Sequence, residues 1–233
     1  MQHYLKMKEE NSDSILFYRL GDFYEMFFED AKLVSQELDL VLTGRSAGVE
    51  EKVPMCGIPF HAANSYIQRL VKKGYKVAIC EQLEDPSSAK GLVDRGIIKI
   101  ITPGTYMDAT MDAKSTNYMA SCDVSSFEIT VIYCELSTGE LKYQTLQRSL
   151  VALQKALLEQ NVSELVCPMT MDKKWMAALE EMDTMLISKH KKANIDPEDL
   201  PLLNGIESES LKEAFARLIA YLKDTQKHRI DHF

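Results

Sequence analysis

The 233-residue sequence has no run of eighteen apolar residues and no basic segment leading into an apolar one. A membrane-spanning helix and a secretory leader are therefore not expected, and a cytoplasmic protein is. There is no GxxxxGK[ST] segment, which excludes ATP binding through a P-loop within these residues. The five cysteines, Cys56, Cys80, Cys122, Cys134 and Cys167, are odd in number, widely spaced and free of any CxxC pair. Reduced core thiols fit that pattern better than disulfides or a zinc site. Positive charge is also scarce: 27 Lys and Arg against 35 Asp and Glu leave a net charge of −8. That is the wrong sign for a protein that grips nucleic acid by phosphate neutralisation alone. The deficit is uneven, since residues 1–106 carry 13 basic and 15 acidic groups and residues 107–233 carry 14 and 20. The first half can still present a local basic surface, and the second is the poorer candidate for contact with a polyanion.

Among what is present, the segment FYRLGDFYEMFFED, Phe17 to Asp30, is the most informative. It sets an aromatic ring and a carboxylate, Phe23 and Glu25, two positions apart just after a Gly21-Asp22 turn. In a strand, residues two apart share a face, so Phe23 and Glu25 project together while Tyr24 points the opposite way. A ring beside a carboxylate suits wedging between stacked bases while the acid tests a base edge. By spacing alone the commoner reading is a core phenylalanine with a solvated neighbour.

The periodicities define a mixed α/β chain. Residues 2–10 read as a helix, ILFYRLG and DFYEMF as β-rich segments, and EDAKLVSQELDL as an amphipathic helix. VLTGR and VPMCGIP are short strands or loops, and Asn64 is placed to cap a helix that runs through Lys73 and stops at Gly74. KVAICEQL and GIIKIITPG are apolar, β-branched runs expected to be buried strands. From Pro103 to Asn117 the chain turns polar and turn-rich, which puts a linker at 107–117 between units 1–106 and 118–233. The second unit reads as three strands, MASCDV, FEITVIYCEL and GELKYQTL, then helices near 147–160, 173–182 and 210–223 alternating with the strands SELVCP and TMLISKH, an α/β layer structure. No internal repeat or low-complexity tract is present.

Catalytic patterns are weak. Asp123, Glu128, Glu135 and Glu140 lie on or near strands and are the carboxylates a metal-dependent nuclease would need, although acidic residues in an acidic half are usually solvated. Ser87 to Lys90 matches SxxK without a partner motif, and His228 and His232 form an i, i+4 pair without a third ligand.

The segment GDFYEMFFEDA resembles, almost letter for letter, the mismatch-reading segment of the MutS family of DNA mismatch-repair proteins. PMCGIPFHA (Pro54 to Ala62), NSYIQRLVKKG (Asn64 to Gly74), VAICEQLEDP (Val77 to Pro86) and RGIIKIITPGT (Arg95 to Thr105) follow in the family's order, and ELSTGEL (Glu135 to Leu141) resembles its connector domain. The resemblance implies an α/β chain in which a mixed-sheet mismatch-recognition domain, 1–106, precedes a ribonuclease-H-like α/β connector domain, 118–233. It implies recognition of mispaired or unpaired bases in duplex DNA, with Phe23 entering the minor groove, Glu25 contacting the base and Met55, in the PMCG loop, near the groove. Arg45 and Ser46, in a Gly-containing turn after a strand, are candidates for holding phosphates. Lys99 is expected to snorkel to solvent, and Phe60, His61 and Tyr66 to pack. ATP and Mg belong to the family's ATPase domain, which these residues do not include, so no cofactor or metal is expected here and the chain is expected not to act as an enzyme. Mismatched duplex DNA is the implied partner, together with other MutS domains and repair partners through the connector. The chain by itself is expected to be monomeric, the full-length family dimeric. A docking module of a repair complex and, less favoured, a metal-dependent nuclease are the rival readings.

Overall fold

A computed structural model describes residues 1–45, 52–83, 93–107, 117–192, 194–195, 199–203 and 207–226. The chain divides into two compact units, one built on Met1–Thr102 and one on Pro103–Thr225.

In the first unit, helix α1 (Gln2–Glu10) leads into strands β1 (Ile15–Leu20) and β2 (Phe23–Phe27), helix α2 (Phe28–Leu38), strands β3 (Thr43–Arg45) and β4 (Val53–Pro59), a 3-10 turn (Phe60–Ala62), helix α3 (Ala63–Lys72) and strands β5 (Val77–Gln82) and β6 (Arg95–Ile101). The six strands form one sheet in the order β3-β4-β2-β1-β5-β6. Only β1 and β5 pair in parallel; all other neighbours are antiparallel. Central strand β1 reads ILFYRL because both of its faces are covered. On one face α2 packs over β2 and β4 and α3 over β5. On the other, Tyr4 of α1 joins Leu16, Tyr18, Phe27, Val53, Ala78 and Cys80 in a buried cluster. α1 is pinned there by polar contacts as well. The Tyr4 hydroxyl accepts from the Phe27 amide at 3.2 Å, and Lys8 meets Asp30 at 2.9 Å. Asp30 in turn accepts from the Leu16 amide at 2.9 Å.

Two local expectations are corrected. Asn64 does not cap α3: the helix starts at Ala63, continuing directly from the 3-10 turn, and its N-terminus has no side-chain cap. GIIKIITPG is not a fully buried strand, because β6 is the last strand of the sheet and is mostly half-buried.

The second unit holds β7 (Tyr118–Val124), β8 (Glu128–Glu135), β9 (Glu140–Gln147), α4 (Leu150–Glu159), β10 (Val162–Pro168), α5 (Lys173–Glu180), β11 (Leu186–His190) and α6 (Glu209–Thr225). Its sheet order is β11-β10-β7-β8-β9, antiparallel across β7, β8 and β9 and parallel across β7, β10 and β11. This is the strand order of ribonuclease-H-like folds. Alternation along β7 and β8 sends Ala120, Cys122, Val131 and Tyr133 to the face covered by α4 and α5, and Met119, Ile132 and Cys134 to the face covered by α6. Ser149 and Asp172 cap α4 and α5 by accepting from backbone amides of the first turn. Residues 103–106, expected from the sequence with the first unit, are tied to the second. Gly104 donates its amide to the buried Glu164 carboxylate at 3.1 Å, and the Asn117 side-chain amide donates to the carbonyls of Pro103 and Tyr106. All five cysteines are buried and unpaired. Burial is the main force pushing the Cys56 thiol up to about 11 and the Cys80 thiol to about 12.

Candidate nucleic-acid interface

The β1–β2 hairpin is the element that displays the candidate ring. Its turn needs Gly21, whose φ of +59° lies in the left-handed region that side chains disfavour. The turn is held from outside itself: the Phe60 amide donates to the Asp22 carbonyl at 2.9 Å, and the Arg19 guanidinium donates to the Gly21 carbonyl. Register then sets the faces, with Leu20 opposite Phe23, Arg19 opposite Tyr24 and Tyr18 opposite Glu25. Tyr24 is 7% exposed and donates its hydroxyl to Glu81. Burial first, and then the Glu81 carboxylate, push that phenol well above its ordinary range. Phe23 faces the other way and is 47% exposed.

Glu25 and Arg45 form an ion pair across the sheet, with side-chain exposures of 16% and 47%. Between their strands lies β4, where Gly57 stands opposite Glu25 and Pro59 opposite Phe23. A Cβ at Gly57 would come within 3.7 Å of Glu25 Cγ and 4.0 Å of Phe23 Cδ1, so the missing side chain leaves the sheet bare beside both. Met55 lies within strand β4, not in a loop as expected. Its carbonyl accepts from the Thr43 hydroxyl at 3.1 Å, and its side chain packs partly buried against the α1 side of the core. Phe23, Glu25 and Arg45 therefore share one sheet face, with Met55 further along it, opposite Phe27. Ser46 lies outside the described residues, as do Ser87 to Lys90, His228 and His232. Lys99 is exposed on β6.

Phe60 is not packed away as expected. It is 40% exposed, and the Arg19 guanidinium lies 3.7 Å above its ring centroid. His61 is exposed as well, and Tyr66 is half-buried. Arg19, Gly57 and Arg95 are residues that the sequence reading did not single out. Arg95 donates to the carbonyls of Arg19 and Val93 at 2.9 Å each. With Arg45, Tyr4, Tyr18, Leu20 and Phe27 it lines a cavity of about 630 Å³ under α1.

Three of the four candidate nuclease carboxylates are occupied otherwise. Asp123 faces Arg217 at 3.7 Å, Glu140 accepts from the Tyr118 hydroxyl at 2.6 Å, and Glu135 accepts from Ser137 and Thr138. Among the described residues no group of three or more His, Cys, Asp and Glu is placed to hold a metal ion. Among them, too, no helix is long and apolar enough to cross a membrane.

The fold and this surface define a two-unit α/β protein whose first unit sets an exposed ring and an arginine-paired carboxylate side by side on one sheet face. Comparison with known proteins gives the family. Residues 1–110 match MutS domain I. The whole chain is 45% identical to the DNA mismatch repair protein MutS of Bacillus licheniformis, over 26% of that protein's length. It is 43% identical to the proteins of the same name from Clostridium tetani and Bacillus subtilis, again over the whole chain and 27% of each relative. The chain belongs to the MutS family. It spans about a quarter of the length of these curated relatives.

Proposed function

We propose that the chain recognises mispaired or unpaired bases in duplex DNA as part of mismatch repair, with Phe23 entering the minor groove and stacking on the faulty base while Glu25 meets the base edge. The observation that carries this reading is the exposure of Phe23 in a strand whose next residue, Tyr24, and last residue, Phe27, are both buried. A large ring held in water on a rigid hairpin gains only when a partner covers it. The relatives' name, DNA mismatch repair protein, supports the same partner.

Selection then follows from the cost of deforming DNA. Unstacking a step costs a few kcal/mol and is cheapest where pairing is already broken. Stacking on an aromatic ring returns about 1–3 kcal/mol. With the two contributions nearly equal, the weakness of the DNA itself decides where the ring enters, and no base code is needed. Arg45 supplies positive charge at the edge of the contact, and Met55, opposite Phe27 on the same sheet face, packs against the core beside it. The second unit we read as a connector that docks other domains and repair partners in the cytoplasm. Phe127, 89% exposed between β7 and β8, favours a docking role for that unit.

The test is a titration of the chain and of Phe23→Ala with a G·T duplex and its matched counterpart at low salt. The proposal expects a preference for the mismatch that disappears in the variant. Equal affinity of the unaltered chain for both duplexes would remove it.

A further inference from the structure

Three arginines surround the hairpin, and they are held in different ways. Arg19 is fixed by the Gly21 carbonyl, the Phe60 ring and Glu81, and Arg95 by the carbonyls of Arg19 and Val93. Backbone acceptors cannot leave without moving a strand, so those two cations are structural. Arg45 is held by the side chain of Glu25, and it is the outer member of that pair, 47% exposed against 16%. A phosphodiester offers a guanidinium fork the same paired oxygens as a carboxylate. DNA lying over Phe23 thus brings a competitor to Arg45, the one of these three described arginines held by a side chain alone.

We infer that Arg45 is an exchangeable cation: Glu25 holds it in the free protein, a backbone phosphate of duplex DNA takes it in the complex, and the carboxylate so released turns to the base edge beside Phe23. This rests on the proposed reading of Phe23 as the wedge. The exchange does two things. In the free protein it neutralises a carboxylate that would otherwise repel the incoming polyanion. In the complex it makes base inspection conditional on phosphate capture, because Glu25 is released only when Arg45 has a new partner. Gly57 leaves the room for that movement, since no side chain stands opposite Glu25 on β4.

The experiment follows the side-chain resonances of Arg45 Nε, Glu25 Cδ and the Phe23 ring in the 233-residue chain while a G·T duplex is added at low salt. The exchange predicts that Arg45 and Glu25 shift together, with one midpoint, alongside Phe23. Movement of Phe23 with Arg45 and Glu25 unmoved, or of Arg45 without Glu25, overturns the exchange and leaves the wedge standing. No movement of any of the three at saturating duplex overturns both. In a second arm, Glu25→Gln frees Arg45 and should tighten binding to matched duplex by up to about fivefold, the worth of a partly exposed ion pair. That gain should vanish when Arg45→Ala is added. A gain of the same size in both backgrounds contradicts the inference.

Discussion

Phe23 and Tyr24 are adjacent aromatics with opposite fates, and the contrast yields the first prediction. Phe23→Ala removes a half-exposed ring and should change stability by no more than about 0.5 kcal/mol. Tyr24→Ala empties a buried site, leaves Glu81 without its hydroxyl partner and should cost about 3–5 kcal/mol. Melting the two variants beside the unaltered chain checks both; a large fall for Phe23→Ala would place the ring in the core. At this scale the sequence told which residues share a face, because a strand alternates with period two. It could not tell which face was covered, since coverage depends on where α1, α2 and α3 pack. The Glu25–Arg45 pair was hidden for a similar reason: its members are 20 residues apart in sequence and meet only through β4, which pairs with both of their strands.

The ELSTGEL segment shows what one element contributes to stability. Glu135 ends β8 and accepts from the hydroxyls and amides of Ser137 and Thr138, tying off the turn into β9, where Gly139 takes a φ of +72°. Desolvation raises its carboxyl, but the donors from Thr138 and Ser137 together outweigh it and hold the group below the ordinary carboxylate range. The folded state therefore favours the ionised form. Its contribution is fully present at neutral pH, begins to fall once the pH drops below the ordinary carboxylate value, and is lost below the folded value. Glu135→Gln should thus melt earlier than the unaltered chain at pH 7, and the gap should close as the pH is lowered toward 3. A gap that stays constant across that range would show that ionisation of Glu135 is irrelevant to the turn. The turn was legible from its Ser-Thr-Gly composition, and its carboxylate cap was not, because Glu135 also fitted a solvated or catalytic reading. The half-buried state of β6 was illegible for another reason: GIIKIITPG has a core strand's composition, and only the sheet order reveals that it sits at an edge.

For the chain as a whole, the net charge of −8 sets a limit on DNA affinity. Phosphate neutralisation dominates such binding, and few cations flank Phe23 among the described residues, so a dissociation constant in the ~10⁻⁴–10⁻⁶ M range that weakens steeply with salt is expected. Titration at low and at physiological salt checks this; tight binding indifferent to salt would place a strong grip within these residues. The expected linker at 107–117 lies largely outside the described residues, and the division at Thr102 to Pro103, with residues 103–106 tied to the second unit, depends on the buried Glu164, which sequence spacing does not reveal. The most direct test of the central claim is a photocrosslink from a benzophenone side chain placed at position 23, using a G·T duplex and its matched counterpart. Crosslinking to the mispaired base, well above that to the matched duplex, is the expected result; equal yields on the two duplexes, or none on either, would contradict the assignment of Phe23 as the mismatch-reading wedge.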